Sequence, residues 1–297
     1  MIKKTLYFGN PAYLSLKNKQ LVIRLKQKEG EEIQTRPIED IGIVILDNSQ
    51  ITITHNAIKS LQKNKAIIIS CDDSHMPFSI LLPLYAHTEQ TLRYRYQIKA
   101  SEPLKKNLWQ QTVIAKINNQ LIVLKKINKP YKKLEYLSKK VRSGDPDNIE
   151  GQAAKYYWNA LIEGFVRDRF GAPPNELLNY GYAVLRAIVA RAIVSSGLLP
   201  GIGIFHKNKY NPFCLVDDIM EPFRPFIDIL VYDMYINKGL ASFLNPQSKK
   251  ELLSVATIDA KYGKRKSPLM VGMNITTASL TACFMGKKRK IVYPELI

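Results

Sequence analysis

The stretch LKKNLWQQTVIAKINNQLIVL, residues 104–124, decides the architecture, because here the apolar period of the chain changes from two to between three and four. Leu104, Leu108, Ile114, Ile117, Leu121, Leu124 and Asn128 follow helical spacing and predict one long amphipathic helix. Its other side is expected to bear Lys105, Lys116 and Lys125, and Pro130 stops it. Before residue 85 the pattern is different: runs rich in Ile, Val, Leu and Tyr at Thr5–Phe8, Tyr13–Leu16, Leu21–Leu25, Ile41–Leu46, Ile51–Thr54 and Ala66–Cys71 read as strands. Asn18-Lys19 and Glu29-Gly30-Glu31 read as hairpin turns, and residues 54–64 as a short helix capped by Thr54.

After the long helix, residues 143–147 and 171–175 are expected breaks. Asn179–Ser196 and Pro225–Lys238, the latter ended by Gly239, are expected helices. The fold class is therefore α+β: a small N-terminal β-sandwich-like domain, residues 1–85, followed by a larger all-α domain, residues 86–297.

Charge narrows the function. The 297 residues hold 44 Lys and Arg against 25 Asp and Glu, a net charge of +19, and such a field is suited to a polyanion. Between Arg93 and Arg142 fourteen basic residues face two acids, Glu102 and Glu135. Tyr94, Tyr96, Trp109, Tyr131 and Tyr136 are interleaved with them, as where bases or sugars stack on a basic surface. A merely solvated helix face is the alternative for any single lysine.

Three cysteines, Cys71, Cys214 and Cys283, are widely spaced, giving neither a zinc motif nor a disulfide framework. Cys214 reads as core. Met1–Lys4 is basic but no apolar signal core is expected behind it. The apolar run from Tyr182 to Leu199 is interrupted by Arg186 and Arg191, which argues against a membrane span. A cytoplasmic protein with no membrane role is expected.

Three further stretches each place a polar side chain in apolar surroundings. Glu150 stands in the first turn of a helix begun by DNIEGQAAKYYW (147–158). There Asp147-x-x-Glu150 also reads as an N-terminal capping pattern. His206 ends the glycine-punctuated loop LLPGIGIFHKN (198–208). In LVDDIMEPFRPFID (215–228) Asp218, Glu221 and Arg224 recur every three residues and would share a helical face. Two carboxylates, one imidazole and a further acid form an oxygen-rich set that suits Mg²⁺ or Mn²⁺ better than zinc. Gly201-Ile-Gly203 lacks the βαβ context of a nucleotide fingerprint, and His55, His75 and His87 have no ligand partners at useful spacing.

Glu150-Gly-Gln-Ala-Ala, residues 179–185, Gly201-Ile-Gly203-Ile-Phe-His206 and Asp218-Ile-Met-Glu221-Pro-Phe-Arg224-Pro together resemble the CRISPR-associated spacer-acquisition integrases, in the form that accompanies single-effector systems. The resemblance implies that Glu150, His206 and Glu221 are catalytic metal ligands and that Asp218 is another active-site acid. Many relatives carry aspartate where Glu221 stands. It further implies phosphodiester transfer by a DNA 3′-hydroxyl, a homodimer, a small second adaptation subunit, and as substrates double-stranded DNA with single-stranded 3′ ends and CRISPR repeat DNA. Tyr182, Lys207 and Arg224 are expected to meet DNA along the cleft, with Arg224 either pairing with Asp228 or steadying a phosphate. Two alternatives stay open from the residues alone: a general nuclease or transposase-like enzyme outside CRISPR immunity, and a DNA-binding scaffold without chemistry.

Overall fold

A computed structural model describes residues 4–27, 30–237 and 243–297. The chain divides into two compact units, Met1–Ala86 and His87–Ile297.

In the first unit, strands β1 (Lys4–Phe8), β2 (Ala12–Lys17), β3 (Gln20–Gln27), β4 (Gly30–Pro37), β5 (Ile41–Leu46), β6 (Thr52–Ile53), β7 (Ile67–Cys71) and β8 (Pro77–Leu81) accompany helix α1 (His55–Lys63). They form two four-stranded sheets, ordered β1-β5-β7-β8 and β4-β3-β2-β6. β5 lies between two parallel neighbours, and its IGIVIL sequence is the continuous apolar run such a position requires. β2 and β3 pair antiparallel through Asn18 and Lys19, both at positive φ (50° and 59°). That backbone twist matches the flanking strands. Thr54 caps α1 by accepting from the Ala57 N–H. The core joins Leu14, Leu21 and Ile23 of one sheet to Phe8, Ile41, Val44 and Ile68 of the other, with Ala57 and Leu61 from α1.

Two strands escape the sequence pattern, and both are edges. β4 reads GEEIQTRP and its single large apolar residue, Ile33, is exposed. β8 carries Phe78 in solvent. An edge strand with one wet face has no need of apolar alternation. Of the turn expected at 29–31, Gly30 has a φ of +134°, while Glu29 lies outside the described residues.

The second unit contains α2 (Gln90–Ile98), α3 (Glu102–Lys126), α4 (Lys132–Lys140), α5 (Ile149–Leu161), α6 (Asn175–Ser195), α7 (Cys214–Met220), α8 (Arg224–Tyr232), α9 (Pro246–Leu253) and α10 (Leu269–Phe284). To these it adds a small antiparallel sheet of β9 (Asp259–Tyr262), β10 (Arg265–Pro268) and β11 (Glu295–Leu296), strands too short to register as a period. α6 begins four residues before its expected start. It is long and apolar enough to cross a membrane by composition, yet 78% of its most apolar window is buried within the protein. The helix expected at 225–238 is α8 followed by a wider turn at Asp233–Asn237; Lys238 and Gly239 lie outside the described residues.

α3 organises this unit. Ser101 caps it by accepting from Leu104 N–H, and Pro103 occupies the first turn, where no helical N–H is missed. Leu108, Val113, Ile117, Val123 and Leu124 are buried, but so is a polar stripe: Thr112, Lys116, Asn119 and Gln120. Lys116 therefore belongs to the interior and not to the exposed cationic side where its charge suggested it. The Asn119 amide donates to the carbonyls of Pro222 (2.7 Å) and Pro294 (2.9 Å), and its oxygen accepts from Leu296 N–H (3.0 Å). One buried side chain thus fixes both the turn after α7 and the C-terminal strand to α3. Replacing Asn119 with alanine strands these three backbone groups away from water. We expect the second unit to lose about 3 kcal/mol in urea unfolding, whereas a loss below about 1 kcal/mol would show that the clamp is dispensable.

Candidate active site

Glu150 enters the site from the first turn of α5. The N-cap is Asn148, whose side chain accepts from Gly151 N–H, while the Asp145 carboxylate accepts the N–H groups of Ile149 and Glu150, each at 2.9 Å. Asp147 instead grips Arg142 in a two-bonded fork. The expected Asp147–Glu150 capping box is therefore absent, and the Glu150 carboxylate is free to point at α3. A Cβ on Gly151 would stand 2.8 Å from the Asn148 amide, so the close cap needs glycine here.

Glu221 stands where α7 passes through a single 3₁₀ turn, Glu221–Phe223, into α8. Pro222 and Pro225 cannot donate to preceding carbonyls, which interrupts what would otherwise be one continuous helix. The turn is also held by Asn119, three residues after Lys116 on α3. As a result the Lys116 ammonium donates to both carboxylates: to Glu150 Oε1 and, at 2.5 Å, to Glu221 Oε2. The other Glu221 oxygen accepts from Arg224 Nε at 2.8 Å.

Lys116 is 7% exposed and Glu221 8%. Ions this deep must compensate one another. For Glu221, burial favours the neutral acid, but Arg224 and Lys116 outweigh it and hold the carboxyl down at about 2. For Lys116, burial disfavours the charge, and Glu221 and Glu150 reverse the sign and raise its pKa. Arg224 also lies 4.6 Å over the Tyr182 ring. It does not pair with Asp228, one of the two expected partners. Asp228 accepts instead from the Tyr182 hydroxyl, and its burial pushes it up to about 7. Burial likewise raises Tyr182 well above a tyrosine's usual pKa.

His206 is presented by its loop. Asp218, fully buried, accepts from the backbone N–H groups of Ile204 (2.7 Å), Phe205 (3.0 Å) and His206 (3.2 Å), and from His206 Nδ1 at 2.6 Å. These four bonds occupy the acceptor capacity of a carboxylate. Asp218 therefore reaches the cavity only through His206, whose Nε2 takes no part in these bonds. This buried hydrogen bond raises the His206 pKa despite partial desolvation. A Cβ at Gly203 would come within 2.5 Å of the His206 carbonyl and 2.6 Å of Asp218 Oδ2, so only glycine lets the loop close around the acid. Phe205 stacks on Trp109 at 4.2 Å, and the imidazole meets the edge of the same indole.

Lys116, Glu150, His206, Glu221, Arg224, Tyr182, Trp109, Trp158, Phe205 and Arg167 line a cavity of about 280 Å³. Of the sequence-selected residues, Glu150, His206, Glu221, Tyr182 and Arg224 share it. Lys207 lies on the surface with its ammonium 3.3 Å from Glu102. Two cationic members were missed. Lys116 reads with the surface charge, although its buried polar neighbours one turn away, Thr112 and Gln120, mark it. Arg167, held by the amide oxygens of Asn175 and Asn179, sits in a loop with no periodic signal. Trp109 is 3% exposed, which removes it from the residues expected to stack on bases. Ten of the fourteen basic residues from Arg93 to Arg142 are exposed.

The donor set can be weighed against a divalent cation. Among the described residues no three His, Cys, Asp or Glu side chains stand gathered around one point. Glu150 and Glu221 do already share a cation, the Lys116 ammonium, with His206 on the same cavity. Converging carboxylate oxygens are the donor type that hard divalent cations such as Mg²⁺ and Mn²⁺ take.

Asp218→Asn removes the negative charge that favours imidazolium, so the His206 pKa should fall toward its ordinary value in an NMR titration. The sign follows from linkage: a raised folded pKa contributes stability fully below the unfolded value and loses it as pH rises through the folded value. The variant should flatten that decline, and an unchanged His206 titration would contradict the assignment.

The chain matches the family model described as CRISPR associated protein Cas1 over residues 6–257. It is 36% identical over 301 residues to a CRISPR-associated endonuclease Cas1 of Neisseria meningitidis, covering 100% of this chain and 97% of that one. In fold it is similar to a casposase bound to integration product (TM-score 0.79, 20% identity, 98% of this chain and 93% of that). It is also similar to a chain of a Cas6-RT-Cas1–Cas2 complex (TM-score 0.73, 18% identity, 100% of this chain and 36% of that). The β-sheet unit followed by a helical unit is the Cas1 arrangement, and the chain belongs to the CRISPR associated protein Cas1 family.

Proposed function

We propose that this chain is a metal-dependent DNA endonuclease and integrase that inserts captured foreign DNA into a CRISPR array. The observation that carries the reading is the convergence of Glu150 and Glu221, from separate segments, on one cation position beside a histidine held by a buried aspartate. Family membership sets aside a scaffold without chemistry. Glu150, Glu221 and His206 would hold Mg²⁺ or Mn²⁺, which when bound would supply the Lewis-acid charge that activates a hydroxyl and steadies phosphoryl oxygens.

The protein's own groups do the rest. Asp218 fixes the imidazole tautomer through Nδ1, the arrangement that aims a ligating nitrogen. Arg224 and Arg167, both on the cavity wall, give the scissile phosphodiester and its neighbour cationic contacts. Trp109, Phe205 and Trp158 form an apolar wall that strengthens these charges by thinning the water around them. With a DNA 3′-hydroxyl as nucleophile the reaction is strand transfer; with water it is cleavage.

The exposed lysines and arginines of α2, α3 and α4 hold duplex DNA by its phosphates, so affinity falls with salt. Lys207, at the mouth of the His206 loop, contacts the strand that enters. The protein acts in the cytoplasm as a homodimer on double-stranded DNA with single-stranded 3′ ends and on CRISPR repeat DNA, with a small second adaptation subunit. The β-rich unit serves dimerisation and docking. The similarity to a chain of a Cas1–Cas2 complex supports such a partner.

Glu150→Ala, His206→Ala and Glu221→Ala should each lower strand transfer on a repeat-containing target by on the order of 10²-fold or more. DNA affinity in a filter or gel assay without divalent metal should hold or rise slightly. Near-normal turnover in any of the three would refute that residue's role.

A further inference from the structure

The bridge that Lys116 makes is a poor permanent arrangement for a site that takes a divalent cation. The ammonium donates to one oxygen of each carboxylate, and Arg224 takes the remaining Glu221 oxygen. Two cations and two anions already balance. A divalent ion added to that set would leave a surplus of two charges in a buried place, and burying uncompensated charge is costly. The ammonium sits on a flexible four-carbon stem, and a cavity of about 280 Å³ opens in front of it. Once it leaves the carboxylates it needs another anion, and the group this cavity takes is a phosphodiester.

We propose that Lys116 is a resident counter-cation in the metal position, displaced by the divalent ion onto a substrate phosphate, so that metal and DNA bind cooperatively. This rests on the reading of Glu150, His206 and Glu221 as the metal-holding set. Without DNA, Lys116 competes with the ion and keeps the buried Glu221 and the partly exposed Glu150 from repelling each other. With DNA, the phosphate accepts the ammonium and the carboxylates are released to the ion. Lys116 thus touches both the metal-holding carboxylates and the substrate, and its effect appears in binding before it appears in turnover. A lysine that only stabilised the fold would leave metal affinity unchanged or weaken it when removed.

The test is Mn²⁺ binding to the full chain, followed by loss of the free-ion EPR signal, with and without a duplex bearing 3′ overhangs. For the native protein the duplex should tighten Mn²⁺ binding by about tenfold. Lys116→Met should bind Mn²⁺ about tenfold more tightly than the native protein without DNA, and the duplex should then add little. Its melting temperature should be lower than native without metal and should recover more than native on adding Mn²⁺. Lys116→Arg keeps the charge and guards against a misfolded methionine variant; it should bind Mn²⁺ no more tightly than the native chain. If Lys116→Met binds Mn²⁺ no more tightly, or the duplex still tightens binding by the native factor, the proposal is overturned. Glu221→Ala separates the two readings. If it abolishes Mn²⁺ binding while the lysine variants change nothing, only the role of Lys116 falls; if it leaves Mn²⁺ binding intact, the metal reading itself falls.

Discussion

Two carboxylates brought together from separate segments repel unless a cation stands between them, and in this protein that cation is the ammonium of Lys116. Much of the second unit serves this constraint. α3 supplies the lysine, α5 delivers Glu150 from its capped first turn, and the proline-interrupted passage from α7 to α8 delivers Glu221. Asn119 pins that passage to the helix that carries Lys116. The polar stripe of α3 is therefore the seam on which the site is assembled, and the apolar residues around it exclude the water that would otherwise screen the charges.

A second set of polar bonds holds the imidazole. Asp218 spends all its acceptor capacity on the loop that carries His206, so the loop and the side chain are fixed by one buried group. Between the two sets stands Arg224, joined to Glu221 by a hydrogen bond and to Tyr182 by its ring, while Tyr182 is tied in turn to Asp228. The Arg224 charge thus rests on the buried Glu221. The exposed lysines of α3 and α4 have few such buried ties.

The sequence shows some of this and hides the rest for physical reasons. The two-domain plan is legible because strands and helices bury residues at different periods, and α3 announces itself over 21 residues. Glu150, His206 and Glu221 are legible because acids and a histidine among Ile, Phe and Met demand a reason. The edge strands β4 and β8 are not legible, since a strand with a wet face leaves no apolar alternation. Lys116 reads as surface because charge alone says so; its burial depends on partners 34 and 105 residues away, which no local window contains. The burial of Trp109 is hidden for the same reason, its partner Phe205 being remote in the chain. The fate of Asp147 and Asn148 was a matter of which of two adjacent side chains caps α5, a choice made by Arg142 pairing with the first.

The central claim is that the Glu150 and Glu221 carboxylates and the His206 imidazole serve one divalent-cation position. Crystals soaked in Mn²⁺ and measured at the manganese absorption edge address it directly. The account predicts one anomalous peak within about 2.2 Å of an oxygen of each glutamate and near His206 Nε2, with the Lys116 ammonium moved off the bridge. A peak elsewhere, or no peak with Lys116 still spanning both carboxylates, would contradict it.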